Sequence, residues 1–201
     1  MSTRPARLSR DAILDTARTM IVAGGTDAFS LRRLAADLGV TAPSLYRFFD
    51  SKDAIVAAIA EVAFAELIDA IEQAAAGLDD PVARIKAQSV AYVECAVANP
   101  SLFAVMFAYR APWTDLPHAP ELPLASKAWQ LGSVAVDEAT ARGLLREPDA
   151  GLAALTIWAA VHGVATLLTA GVPAGQELDR ALVSSVIDAV VDGLAVREPR
   201  A

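Results

Sequence analysis

Thiols and imidazoles are scarce in this chain of 201 residues, which holds one cysteine, Cys95, and two histidines, His118 and His162. A single thiol excludes a disulfide framework, and together these residues cannot build a zinc site of the usual ligand number. No metal and no cofactor is therefore expected, and a lone cysteine fits a reducing cytoplasm. Aromatic residues make up only 6%. Ala and Val supply much of the apolar content instead, which suits closely packed helices. Charged residues are 20% against 55% hydrophobic, which excludes intrinsic disorder. A secretory signal pattern is not seen: the first apolar stretch, residues 12–23, carries Asp15 and Arg18 and ends in glycines. No catalytic signature surrounds Cys95 or His162, so no catalytic residue is assigned and an enzyme is not expected.

The net charge of -7 argues against indiscriminate nucleic-acid binding, yet it is unevenly spread. Residues 1–53 hold eight Lys/Arg against six Asp/Glu, a balance of +2; the rest holds nine against eighteen, a balance of -9. A mildly basic head on an acidic body points to two jobs in one chain.

The apolar periodicity is helical throughout, and no alternating strand pattern or internal repeat is present. Ser9 is a candidate cap for a first helix with Ile13, Ala17, Met20 and Ile21 on one face, ended by Gly24-Gly25. Ser30 and Thr41 are placed to cap two short helices separated by Gly39-Val40, and Ser51 a long fourth helix over 52–76. Further helices are expected over 81–98, 101–109, 124–143, 149–170 and 178–196. Residues 111–123 hold four of the eleven prolines and read as a loop. The expected fold is all-α with about nine helices: a flexible arm over 1–8, a three-helix helix-turn-helix domain over 9–53, and a second helical domain over 54–201.

Residues 150–176 contain no Asp, Glu, Lys or Arg, a length that could cross a bilayer. The flanks show no clear positive side, and His162, Pro173 and glycines interrupt the run, so a helix buried on nearly all sides is expected and no membrane association. Within it Ala159, Gly163, Thr166 and Ala170 form a stripe of small side chains, suited to close approach of another helix.

The most informative stretch is 30–53, SLRRLAADLGVTAPSLYRFFDSKD. Leu34, Leu38, Val40, Leu45 and Phe49 have the spacing to seal two helices together, one bracing and one free to enter a major groove. That leaves Thr41, Ala42, Pro43, Ser44, Tyr46, Arg47 and Phe48 on or near the outer surface. The ordered set Leu31-Arg32-x-Leu34-Ala35, Gly39-Val40, Ser44 to Phe49 and Ser51-Lys52 resembles the DNA-binding domain of the TetR/AcrR family of transcriptional regulators. The match extends over about residues 9–60.

The resemblance implies that Tyr46 and Lys52 hold phosphates, while Ala42, Pro43, Ser44 and Arg47 approach base edges of a double-stranded DNA operator. Arg32, on the supporting helix, matches another contact position. Phe48 departs from the histidine or tyrosine common at its position, and Ala42 offers only a methyl group. Base readout then rests on Arg47, Ser44 and DNA shape. Arg32 and Arg33 are adjacent and cannot both face one groove. Arg4, Arg7 and Arg10 either touch DNA from the arm or are simply solvated.

The resemblance further implies that the remaining helices bind a small hydrophobic effector and form a homodimer through the last two helices. His162-Gly163 is similar to the end of a Trp-His-Gly motif marking one subgroup, although Val161 stands where that motif has tryptophan. Candidate pocket residues are Phe64, Tyr92, Cys95, Phe103 and Phe107, with Trp113, Trp129, Trp158 and His162. Each of them is alternatively ordinary core. On the last helix, Val183, Ile187, Val190 and Leu194 are the expected interface stripe. The implied function is a cytoplasmic, ligand-responsive repressor in which helix 4 pivots on effector binding. Activation of transcription, or storage of a hydrophobic molecule without DNA binding, are the alternatives.

Overall fold

The structure is a computed structural model that describes residues 8–108, 122–172 and 175–196. Residues 1–7 of the expected arm, including Arg4 and Arg7, and most of the proline-rich loop, including Trp113, lie outside the described residues. Among those described, nine α-helices occur: α1 (Arg10–Gly24), α2 (Leu31–Asp37), α3 (Ala42–Leu45), α4 (Lys52–Ala75), α5 (Pro81–Ala98), α6 (Pro100–Met106), α7 (Pro123–Ala141), α8 (Ala150–Thr169) and α9 (Gln176–Leu194). A short 3-10 turn at Thr26–Ala28 was not expected from the pattern. No strand forms among the described residues; the one β-type pairing is an isolated bridge between Leu145 and Ala195.

The helix starts follow the capping chemistry. Backbone N–H groups of Ala12, Arg33 and Ala54 donate to the hydroxyls of Ser9, Ser30 and Ser51. Asp80 accepts from the N–H groups of Val82 and Ala83, and Asp149 from that of Leu152. Each such cap satisfies donors that a helix start leaves without partners and contributes about 1 kcal/mol. Thr41 does not act as expected: it precedes α3, but its hydroxyl pairs with Ser44 Oγ at 2.9 Å rather than with the backbone.

Two compact units result, Met1–Ala63 with Asn99–Pro123, and Phe64–Ala98 with Leu124–Ala201. The long helix α4 contributes residues to both. In the first unit α1 packs on α2 and α6, and α2 on α3. Its core is Ile13, Ala17, Ile21, Phe29, Leu34 and Leu45, each at most 1% exposed. In the second unit α5, α8 and α9 pack against one another. Salt bridges reinforce this: Lys86 of α5 meets both Asp188 and Asp192 of α9 at 2.7 Å, and Arg84 of α5 pairs with Glu138 of α7.

Two expectations about the last helices need correction. Among the described residues α8 is the one single helix long and apolar enough to cross a membrane, but it is not buried on nearly all sides. Its inner face, Ala153, Ile157, Val161, Val164 and Ala165, is buried, while Leu152, Leu155, Ala159, Gly163, Thr166, Leu167 and Ala170 are exposed. These exposed residues fall within one third of the helix circumference at 100° per residue. On α9, Ile187 is 2% exposed and so packs within its own unit, while Val183, Val190 and Leu194 are half-buried. The stripe read as an intersubunit face is thus partly spent on the protein's own interior, because α5 and α8 cover it. The exposed residues of α9 include Leu178, Ala181, Ser185 and Ala189 instead.

Candidate nucleic-acid interface and effector site

The turn between α2 and α3 is built by Gly39, whose φ of 66° is the left-handed conformation glycine adopts without a steric cost. Gly39 N–H donates to the Ala36 carbonyl, and Val40 N–H to that of Ala35, a Schellman arrangement that closes α2 and redirects the chain. Leu34, Leu45 and Phe49 are buried as expected and hold α2 and α3 together, with Leu38 and Val40 half-buried at the edge. The regular part of α3 is a single turn; Tyr46, Arg47 and Phe48 continue it as a turn, with the N–H groups of Phe48 and Phe49 both donating to the Leu45 carbonyl.

Most of the polar and basic side chains of this segment face solvent. Arg32, Arg33, Thr41, Pro43, Arg47 and Lys52 are exposed, and Tyr46 is 53% exposed. That is large for a tyrosine following the buried Leu45, and it leaves the hydroxyl in reach of a phosphate. Ala42, Ser44 and Phe48 are half-buried. Lys52, the first residue of α4, holds its Nζ 5.5 Å from the centre of the Phe29 ring, a contact that keeps the ammonium at the helix start. Arg10 belongs to α1 and not to an arm. Its guanidinium lies 4.1 Å from the centre of the Phe49 ring, and Nη1 donates to the Phe48 carbonyl at 3.2 Å. Sequence reasoning missed this contact; its only trace is an arginine at a helix start in a chain with two adjacent phenylalanines.

In the second unit, five of the nine candidate pocket residues come together. Trp158 and His162, one turn apart on α8, stack with ring centres 4.9 Å apart at 23°. Trp129 of α7 meets Trp158 edge-to-face at 6.1 Å. Tyr92 of α5 and Nδ1 of His162 share a hydrogen bond at 2.8 Å, and Trp158 also hydrogen-bonds to Tyr92. An indole N–H can only donate, so the phenolic oxygen accepts from it, while its bond to Nδ1 runs in the direction set by the imidazole tautomer. Cys95, half-buried one turn further along α5, is close enough for its charge to act on Tyr92. Phe64 is buried on α4. Phe103 and Phe107 pair with each other edge-to-face at 5.1 Å in the first unit.

The cluster is built for neutral groups. Burial lowers His162 below the ordinary imidazole value of 6.5, and burial raises the Tyr92 hydroxyl above 10.0, opposed in part by the Trp158 hydrogen bond. Burial and then the charge of Glu66 raise the Cys95 thiol above 9.0. The stability consequence has two edges. The unfolded chain protonates His162 first as pH falls below 6.5, so stability drops there until the folded imidazole also titrates. It ionises Cys95 and Tyr92 first as pH rises past 9.0 and 10.0, so stability drops again. Urea midpoints measured from pH 5 to 10.5 are expected to trace a plateau between these edges, and His162→Gln is expected to flatten the acid edge; an unaltered acid edge in that variant contradicts the assignment.

A one-turn helix continued by the exposed Tyr46 and Arg47, and held by a bracing helix across a glycine turn, defines a DNA-binding protein of the helix-turn-helix class. Residues 13–59 match the family described as bacterial regulatory proteins, tetR family, and residues 85–190 match the tetracyclin repressor-like C-terminal domain. The chain belongs to the tetR family and is a DNA-binding transcriptional regulator. It is similar to a protein of unknown function from Rhodococcus sp. RHA1, with 30% identity and a TM-score of 0.81, over 96% of this chain and 100% of that one. It is also 29% identical over 186 residues to an uncharacterized HTH-type transcriptional regulator of Mycobacterium tuberculosis, covering 92% of this chain and 81% of the relative. FadR from Bacillus subtilis, solved in complex with stearoyl-CoA, shares the fold at a TM-score of 0.72 and 18% identity, covering 92% of this chain and 100% of that one.

Proposed function

We propose that the chain is a cytoplasmic, ligand-responsive repressor that binds a palindromic operator as a homodimer and is released by a small apolar molecule. The observation carrying the DNA half is the exposure of Tyr46, Arg47 and Lys52 beside a buried Leu34–Leu45–Phe49 seam. In this reading Tyr46 and Lys52 hold phosphates, Arg47 reads a guanine edge, and Thr41, Ala42, Pro43, Ser44 and Phe48 line the contact, with Arg32 reaching in from α2. Ser44 engages a base only by giving up or sharing its bond to Thr41.

The effector reading rests on the neutral Tyr92–His162–Trp158–Trp129 cluster, which offers flat apolar faces and a few polar atoms, the composition of a small-molecule site. FadR from Bacillus subtilis holds stearoyl-CoA in the same fold, which makes long acyl chains the first compounds to try. The dimer reading rests on the exposed apolar face of α8. A ligand favouring one dimer geometry shifts the spacing of the two recognition helices, by no more than its differential affinity allows, and α4 is the element connecting Lys52 to the effector unit.

The test is a mobility shift of a duplex taken from beside the chain's own coding region. Retardation is expected to weaken steeply with salt and to be reversed by an acyl-CoA that also changes tryptophan fluorescence. Loss of the fluorescence response in His162→Ala supports the anchor. Retardation that no compound reverses favours constitutive regulation, and stimulated transcription from the shifted promoter favours an activator.

A further inference from the structure

We propose that Arg10 is a positioning residue for DNA recognition: its guanidinium clamps the C-terminal end of the recognition helix and so sets where Tyr46 and Arg47 stand. The clamp has two parts on consecutive residues, the hydrogen bond to the Phe48 carbonyl at 3.2 Å and the stacking over the Phe49 ring at 4.1 Å. The turn that continues α3 runs to Phe48, and a guanidinium donating to the Phe48 carbonyl ties that end of the segment to α1 by a charge-assisted hydrogen bond. With one regular turn, α3 has little internal rigidity of its own. Tyr46 and Arg47 immediately precede the clamped pair, so a shift at Phe48 moves both contact side chains.

The other end of the clamp is firm. Arg10 opens α1, whose Ile13, Ala17, Met20 and Ile21 are buried in the first unit. Phe49 is 4% exposed, so its ring is fixed by the core on one side and covered by the guanidinium on the other. The planar, delocalised guanidinium is needed for both contacts at once; a lysine ammonium can donate or lie over the ring, but cannot present a flat face while donating sideways. Arg10 therefore acts on DNA affinity without itself meeting the duplex.

The proposal rests on α3 being the recognition helix, and the test separates the two. A duplex selected by the wild-type full chain from a randomised pool is compared with its scrambled counterpart at several salt concentrations. Arg10→Ala is expected to weaken the selected duplex about tenfold and the scrambled one much less, since a charged hydrogen bond and a stacking contact are lost from a positioning role. The slope of log affinity against log salt is expected to stay at the wild-type value. A slope reduced by about one per protomer makes Arg10 a direct phosphate contact and overturns the proposal. So does wild-type affinity in Arg10→Ala, or full rescue by Arg10→Lys. If Arg10→Ala folds poorly, Phe49→Leu keeps apolar bulk in the core while removing the ring; the same selective loss is expected, smaller in size, and wild-type discrimination in that variant overturns the stacking half of the clamp. Unchanged binding by a Tyr46→Ala/Arg47→Ala variant sinks the recognition-helix reading itself and the clamp with it, whereas unchanged binding by Arg10→Ala alone leaves that reading standing.

Discussion

The Tyr46→Ala/Arg47→Ala variant is expected to lose about a hundredfold or more in affinity for its operator while keeping its thermal midpoint. The size follows from a guanine contact of about 1–3 kcal/mol and a phosphate contact per half-site, counted in two half-sites. The midpoint is spared because both side chains are exposed and the seam beneath them, Leu34, Leu45 and Phe49, is untouched. The single variants divide the loss in kind. Arg47→Ala is expected to relax base preference at one position of each half-site, visible in a selection from randomised duplex. Tyr46→Phe removes only a hydroxyl and is expected to weaken selected and scrambled duplexes alike. Specific binding that survives in the double variant moves recognition away from α3 altogether.

Gly163→Arg is expected to convert a dimer into single chains and to bring operator affinity down to that of scrambled duplex, about a thousandfold or more. A Cβ added at the exposed Gly163 meets nothing within 4 Å beyond its own helix, so the substitution is expected to leave the fold of the protomer alone. Glycine inside a helix costs about 0.5–1 kcal/mol relative to alanine, and in the proposed dimer the exposed Gly163 offsets that cost by letting a second helix approach closely. An arginine there puts a long cation into that approach. Sedimentation analysis reads the outcome directly, with a particle near 21.0 kDa instead of twice that mass. A variant that still sediments as a pair and binds operator normally removes α8 from the interface.

Much of this molecule could be read from its residues because the signals are local. Serines at 9, 30 and 51 were read as caps, and each accepts the N–H of the third residue on. Gly39 marked the turn between α2 and α3 for a reason internal to the backbone, its need for positive φ. Exposure of Tyr46 and Arg47 followed from the same periodicity that buried Leu45 and Phe49. The errors are of another kind. Val183, Ile187, Val190 and Leu194 form an apolar stripe, but periodicity gives a stripe without naming what covers it, and Ile187 is spent within its own unit. A charge-free α8 looked buried all round, since composition cannot tell a face kept apolar for the core from one kept apolar for a partner.

The Tyr92–His162–Trp158–Trp129 cluster lies between these cases. The pairing of Trp158 with His162 is a one-turn spacing and was legible; their junction with Tyr92 and Trp129, from two other helices, was not. Phe103 lies on α6, which packs on α1, with Phe107 at its C-cap, and their pairing follows from a four-residue spacing within one helix segment.

Helical class, caps, turns and the order of the recognition segment were set by residues within one or two turns of each other, where backbone geometry and hydrogen bonding act directly. Tertiary structure alone decided that Arg10 reaches across 38 residues to Phe48, that Tyr92 meets His162 across 70, and which face of α8 is left open. Such contacts depend on how helices far apart in the chain pack, and packing is chosen by the whole set of apolar faces competing for burial rather than by any one of them.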